Sequence, residues 1–319
     1  MSVTQSIKRP LVVLTGPTAV GKTKLSIALA KAIGGEILSA DSMQVYKHMD
    51  IGSAKIRPEE MQGVPHHLID ILEPWEEFNV VVFQKRCLEC MEQIYDRGHI
   101  PILVGGTGFY IQAVLRGIDF TENEENTEYR EKMEQLAKEK GPEVLHDMLR
   151  KIDPVSAENI HTNNIKRTIR ALEYYELTGE PISAHNEREK ERTSPYNFSY
   201  FVLTDDRAKL YERIDRRVDQ MLKDGLVEEV KGLQQEGCHR GMVSMQGLGY
   251  KEILAYLEGE YDLERAVYLI KRDTRHFAKR QLTWLRRNPD IHWIWWEKDR
   301  DFARALQVST EILAAAGVF

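Results

Sequence analysis

Eight consecutive residues, Gly16, Pro17, Thr18, Ala19, Val20, Gly21, Lys22 and Thr23, carry the spacing G-x-x-x-x-G-K-[ST]. In such a loop the backbone N–H groups can wrap a diphosphate, the lysine ammonium can bridge phosphate oxygens, and the threonine hydroxyl can hold Mg²⁺. The loop does not fix the fate of the diphosphate. A site that cleaves a nucleoside triphosphate adds an acid at the end of an apolar strand to position the metal. Asp41, following ILSA at 37–40, is the candidate, whereas PILV at 101–104 runs into Gly105-Gly106-Thr107-Gly108 with no acid. That glycine-rich turn either admits a ligand close to the backbone, with the Thr107 hydroxyl as a donor, or serves packing alone. Asp41 in turn is either a helix cap or a catalytic carboxylate, and its surroundings in the sequence leave both open.

These groups need a frame that brings them together. LVVLT at 11–15 is a continuous apolar run followed, after the loop, by a helical pattern over 22–33. Further strands are predicted at 36–39, 101–104, 198–203 and 291–296, and helices at 79–97, 208–235 with a break at Gly225, and 262–287. Strands alternating with helices predict an α/β fold, a P-loop NTPase-like parallel sheet flanked by helices. Ligands in such sheets bind beyond the carboxyl ends of the strands, so Asp41 and the phosphate loop are expected to face one crevice. From 119 the chain turns acidic and apolar-poor, and only helical patterns follow, at 128–140, 142–151 and 164–177, before a polar segment at 185–195 leads back to strand. This predicts an inserted all-helical domain at 119–196, with 1–118 and 197–319 forming the core and its C-terminal helices.

The charge balance is 44 Lys+Arg against 50 Asp+Glu in 319 residues, a net −6, and the 42% hydrophobic content lies in the globular range. Disordered and fibrous classes are thereby excluded. No apolar run nears the roughly 20 residues of a bilayer span, and MSVTQSIKRP lacks a secretory apolar stretch, so a cytoplasmic protein away from membranes is expected. Three cysteines, Cys87, Cys90 and Cys238, fit a reducing compartment, and His66-His67 has no partners at metal-binding spacing. Net acidity hides local bases. At about 100° per residue, Arg272, Arg275, Lys279 and Arg286 fall within roughly 80° of Arg265, while Ala266, Val267, Ile270, Phe277, Trp284 and Leu285 occupy the opposite side. Residues 265–287 hold eight bases and one acid, a stripe that suits a nucleic-acid backbone or a solvated face. Lys166, Arg167 and Arg170 form a second basic cluster, and Arg213, Arg216 and Arg217 a third, in which Arg213 and Arg217, one helical turn apart, either reach one anion together or pair with Glu212, Asp215 and Asp219.

GPTAVGKT, DSMQVYKHMDIGSAK, GVPHHLIDI, VGGTGFYI, Arg213-Ile-x-x-Arg217-x-x-x-Met221, Gly247-Leu-Gly-Tyr-Lys-Glu252 and Thr274-Arg-x-x-Ala-Lys-Arg-Gln281-x-Thr-Trp284 occur in this order. As an ordered set they resemble the tRNA dimethylallyltransferases, the tRNA isopentenyltransferase family. The resemblance implies transfer of a dimethylallyl group from dimethylallyl diphosphate to N6 of the adenosine immediately 3′ of the anticodon, with diphosphate released. It implies that Asp41 accepts a proton from, or polarises, the N6 amine, while Lys22, the loop N–H groups, Thr23 with Mg²⁺, Thr107 and Arg217 stabilise the leaving diphosphate. Arg217 is preferred to Arg216 by its spacing to Met221. Contacts to the tRNA anticodon stem-loop are implied for Asp41, Ser42, Met43 and Gln44, with Gln44 reading the flipped base, and for Lys166, Arg167 and Arg170. The same holds for Gln246, Gly247, Leu248, Gly249, Tyr250 and Lys251, and for Arg275, Lys279, Arg280, Gln281, Trp284 and Arg286. Ser53 departs from the family's usual Thr, no zinc finger follows, and a monomer is expected. The rival readings are a P-loop small-molecule or nucleotide kinase and an ATP-regulated nucleic-acid-binding protein.

Overall fold

Short, nearly continuous apolar segments lie side by side as one parallel sheet in the computed structural model, which describes residues 8–120, 127–296 and 301–319. The strands are β1 (Arg9–Thr15), β2 (Gly35–Ala40), β3 (His66–His67), β4 (Ile100–Gly105), β5 (Tyr196–Thr204) and β6 (Ile291–Trp295), in the order β3-β2-β4-β1-β5-β6. Every neighbouring pair is parallel, so each strand needs a crossover and both faces must be covered. Alternate residues of β1 accordingly enter different cores: Leu11 and Val13 one, Val12 and Leu14 the other.

The described residues divide into two compact units, one running to Leu115 and resuming over Pro195–Phe319, the other Arg116–Ser194. In the first unit α1 (Lys22–Ile33), α2 (Val80–Asp96) and α3 (Gly108–Arg116) precede the division. The second holds α4 (Thr127–Lys140), α5 (Pro142–Ile152), α6 (Pro154–Asn159), α7 (Ile165–Thr178) and α8 (Ile182–Glu191). Its core is its own, built on Met133, Leu145, Leu149, Ile169 and Leu172. The first unit then continues with α9 (Arg207–Lys223), α10 (Leu226–Gln235), α11 (Tyr250–Leu257), α12 (Leu263–Leu285) and α13 (Phe302–Ala315). Gly225, at φ 103°, makes the expected break between α9 and α10, and Asp262 caps α12 by accepting the Arg265 N–H at 2.8 Å. No helix among the described residues is long and apolar enough to cross a membrane.

Two local expectations change. The polar segment at 185–195 is mostly the helix α8, because its Glu, Arg and Lys residues favour helix and form pairs such as Glu187–Lys190 at 2.7 Å three positions apart. Such a helix has no apolar stripe to betray it. The pair His66-His67 forms β3 against Ile37 and Leu38, too short to be read from alternation. Of the acidic stretch that opens the insertion, residues 121–126 lie outside the described residues.

Register decides what meets at the sheet edge. Ala40 pairs with Gly105, and Gly105 with Thr15, so β2, β4 and β1 end in one row. With strands about 4.8 Å apart, the backbones leaving them at Asp41, Gly106 and Gly16 emerge side by side.

Candidate functional site

The loop at 16–23 ends on Gly21, which begins α1 without a side-chain cap, so the first N–H groups of the helix stay available to an anion. Lys22 folds back over the loop and donates to the carbonyls of Gly16 and Pro17, both at 2.9 Å, using two of its three donors. Burial pushes its ammonium down to about 8, Asp41 opposing the shift and Arg217 adding to it. The loop is also braced from outside. The Thr18 N–H donates to Gln281 Oε1 at 3.1 Å, the Ala19 carbonyl accepts from Arg213 Nε at 3.1 Å, and the Val20 carbonyl accepts from the Trp296 indole at 2.7 Å. Ala19 needs such support, since its φ of 61° is left-handed for a residue with a β-carbon.

Asp41 closes a turn rather than capping a helix, and its carboxylate faces the cavity. Its Oδ1 accepts from the N–H groups of Met43 at 2.9 Å and Gln44 at 3.4 Å, a local turn. The same carboxylate lines the cavity and acts electrostatically on both Lys22 and Arg217. Burial lowers the Arg217 guanidinium, and Asp41 counters it. Arg216 also lines the cavity but is exposed and lies 3.5 Å from Glu212, whereas Arg217 is partly buried there and interacts with Asp41.

A cavity of about 1000 Å³ gathers these groups within the first unit. Thr18, Ala19, Gly21, Lys22, Thr23, Asp41 through Gln44, Thr107 and Arg217 line it, as do Gln246 through Gly249, Lys251, Arg280 and Gln281. Apolar wall comes from Phe78, Tyr110, Ile214, Val218, Met221, Ile270 and Phe277. A polar anion end and apolar flanks are what a diphosphate carrying a hydrocarbon group requires. Gly16, Pro17 and Val20 shape the loop without lining the cavity.

Several residues expected to contact nucleic acid are also engaged within the chain. Gln281 is buried, and its amide bridges Thr18 N–H and the Gly106 carbonyl, the latter at 2.9 Å. Its place at roughly 160° on the apolar side of α12 is the signal that identifies it as interior. Gly106 is glycine for the same reason, because a β-carbon there would lie 2.3 Å from the Gln281 amide nitrogen. Trp284 is half-buried and packs over Gly108. Tyr250 is fully buried, its hydroxyl donating to Glu229 at 2.8 Å and accepting the Ser53 N–H at 3.1 Å. Gln44 spends its amide N–H₂ on the carbonyls of Ser53 and Ala54 at 3.4 and 3.3 Å. Arg275 is clamped on Asp215 at 2.6 Å, and Lys271 on Asp219 at 2.5 Å. The exposed cationic run is therefore the end of α12, Lys279, Arg280 and Arg286 with Arg287. In the helical unit Lys166, Arg167 and Arg170 are exposed on α7, Arg170 pairing with the buried Glu173 at 3.0 Å.

The sequence leaves Arg213 two roles, reaching one anion together with Arg217 or pairing with neighbouring acids. Its Nη1 does meet Asp205 at 2.8 Å, yet Nε holds the phosphate loop and the buried Nη2 has no acceptor in a cavity-lining residue. The Arg213–Arg217 spacing of one helical turn is what keeps the first of these roles open in the sequence. Trp296 and Glu229 left no such signal, since nothing local in the sequence marks them. His67 bonds Glu36 at 2.6 Å and His66 bonds the Val64 carbonyl at 2.8 Å.

Comparison with known proteins adds independent findings. Residues 44–288 match the family described as IPP transferase, and residues 10–71 that described as isopentenyl transferase. A tRNA dimethylallyltransferase of Lachnoclostridium phytofermentans is 62% identical over 305 residues, 96% of each chain. A crystal structure of a tRNA isopentenylpyrophosphate transferase from Bacillus halodurans is 44% identical, with a TM-score of 0.73 over 97% of this chain and 98% of that one. A eukaryotic dimethylallyltransferase described as acting on tRNA is 31% identical, with a TM-score of 0.79 over 96% of this chain and 80% of its own. None of these relatives favours a kinase.

Proposed function

The chain belongs to the IPP transferase family, and from that membership we propose how its residues carry out the prenylation of tRNA. A dimethylallyl group passes from dimethylallyl diphosphate to N6 of the adenosine immediately 3′ of the anticodon. The observation that carries this reading is the shared row at the sheet edge, which opens the phosphate loop, Asp41 and Thr107 onto one cavity. A site for phosphoryl transfer needs its acid to hold a metal against the phosphates. In the prenyl-transfer reading Asp41 is assigned to the acceptor amine instead.

In the reaction the N6 lone pair attacks C1 of the dimethylallyl group, the C1–O bond breaks with its electrons going to diphosphate, and the N6 proton passes to Asp41. An adenine amine is a poor nucleophile until it is hydrogen-bonded and aligned, which is the part assigned to the carboxylate. Lys22, the loop N–H groups, the Thr107 hydroxyl and Arg217 oppose the negative charge that develops on the leaving group. Thr23 is exposed at the first turn of α1 within the cavity. One hydroxyl fits Mg²⁺, an ion that keeps several waters and binds through few protein oxygens beside substrate phosphates, and it would neutralise the diphosphate there.

The acceptor adenosine must leave its stack, at a cost on the order of a few kcal/mol. The exposed bases of α12 and α7 are assigned to the anticodon stem-loop backbone and supply that energy by neutralising phosphates. Every group given a role in the chemistry lies in one unit of one chain, so a monomer suffices, and a cytoplasmic location is proposed with it. The test is incubation of the purified protein and Mg²⁺ with unmodified tRNA and radiolabelled dimethylallyl diphosphate, with ATP as a parallel donor. Label on N6 of one adenosine beside the anticodon supports the reading. Absence of transfer together with phosphate release from ATP overturns it.

A further inference from the structure

We propose that Glu229, together with Tyr250, is a positioning residue that holds the acceptor side of the site in register. Of six non-glycine residues with left-handed φ among the described residues, five lie between 48 and 70: His48, Ala54, Gln62, Leu68 and Asp70. Left-handed backbone at residues with a β-carbon persists only where its surroundings over-determine it. This is the stretch that follows Asp41 directly, so whatever restrains it restrains the catalytic carboxylate.

Four consecutive N–H groups carry the restraint. Glu229, on α10, accepts from Asp50 at 2.9 Å and Ile51 at 2.7 Å through Oε2, and from Gly52 at 3.1 Å through Oε1. Tyr250, itself donating to Glu229, accepts the fourth from Ser53. Gly52 is required for this approach, since a β-carbon there would lie 2.5 Å from the Tyr250 ring. The next two carbonyls, Ser53 and Ala54, receive the Gln44 amide, and the Gln44 and Met43 N–H groups bond Asp41. A continuous chain of hydrogen bonds thus runs from Glu229 through the 50–54 turn and Gln44 to the carboxylate. On the inner side Lys55 ties the same turn down, donating to the Tyr46 carbonyl and to Asp50, both at 2.6 Å, and to Asp70. An acidic side chain matched to successive backbone donors is a fixed template, which an amide cannot reproduce because half of it is a donor.

The kinetic part of the test rests on the prenyl-transfer reading, and an exchange measurement stands apart from it. Glu229→Gln is expected to lower kcat for tRNA prenylation roughly tenfold to a hundredfold, as a displaced catalytic group does. KM for dimethylallyl diphosphate and the affinity for inorganic diphosphate should stay unchanged. Amide hydrogen exchange in the same variant should speed up at Met43 and Gln44 as well as at 50–53. Tyr250→Phe, which removes one acceptor and keeps the ring, should show a smaller loss of the same pattern and serves if Glu229→Gln does not fold. Unchanged kcat with unchanged exchange at 43–44 overturns the proposal. So does a proportional loss of kcat and diphosphate affinity, which marks a general structural effect. If the wild type transfers no prenyl group, the functional reading fails, and faster exchange at 43–44 still supports the link to Asp41.

Discussion

In the proposed reading, Lys22 is expected to make diphosphate binding sensitive to pH in a range where most lysines are inert. Its ammonium is pushed down to about 8, so in the free protein roughly nine-tenths of the chains carry the charge at pH 7 and roughly one-tenth at pH 9. Diphosphate prefers the charged form. The folded value is lowered, so the charged form dominates below about 8 and the binding contribution is lost as pH rises through that value. Apparent affinity should therefore fall about tenfold from pH 7 to pH 9, with proton uptake on binding that peaks above pH 8. Isothermal titration with inorganic diphosphate in two buffers of different ionisation enthalpy reads both quantities. The ligand also titrates in this range, so Lys22→Met is measured in parallel, and the ratio of wild type to variant isolates the lysine. That ratio should shrink about tenfold between pH 7 and pH 9. A ratio constant across the range would refute the reasoning, since it would mean the lysine keeps its proton at the loop carbonyls.

Asp41→Asn should reduce prenyl transfer by roughly 10²- to 10⁴-fold while leaving diphosphate affinity within a factor of about two; parallel loss of both would remove Asp41 from the acceptor side. Lys279→Ala is expected to lower the slope of log tRNA affinity against log salt by about one, and Arg275→Ala by less, because Asp215 already holds that guanidinium; equal slopes would contradict the division of α12. Gln281→Leu should cost about 2–3 kcal/mol by leaving Thr18 N–H and the Gly106 carbonyl without partners, read in calorimetry as a Tm lower by roughly 5–10 °C. Glu36 is held down to about 2 chiefly by Arg97, with His99 and His67 adding to it against the cost of burial. Its contribution is present above about 4.5 and lost as pH falls toward 2. Glu36→Gln should flatten the acid limb of the stability curve, and an unaltered limb would deny the cluster that role.

The parts of this protein legible in its sequence are those governed by local pattern. The strands β1, β2, β4, β5 and β6, the loop at 16–23 and the break at Gly225 follow from apolar runs and glycine spacing. Asp41 was visible as a carboxylate at a strand end, and Arg217 as one turn from Arg213. The inward turn of Gln281 was legible in its place on the apolar side of α12, but that of Tyr250 was not, because motif membership is blind to the direction of a side chain. Of the basic stripe on α12, Arg272 and Arg275 are paired with Asp273 and Asp215, while Arg265, Lys279 and Arg286 are exposed, a division that helix periodicity alone does not show. α8 escaped notice because a helix stabilised by charge pairs has no hydrophobic period. Glu229 lies 177 or more residues from the amides it holds, and no reading of neighbours in sequence reaches that far.

The bracing of the phosphate loop bears on the order in which the protein is made. Residues 16–23 are synthesised early, but Arg213, Gln281 and Trp296, which hold Ala19, Thr18 and Val20, follow 194, 263 and 276 positions later. At about 5–20 residues per second, translation leaves roughly 15–55 s between Val20 and its indole partner. During that time the nascent chain carries the phosphate-binding motif without the braces that shape it, and a left-handed Ala19 has nothing to hold it. The bracing of the phosphate loop is therefore complete only in the finished core, once the residue that follows its last strand reaches Val20.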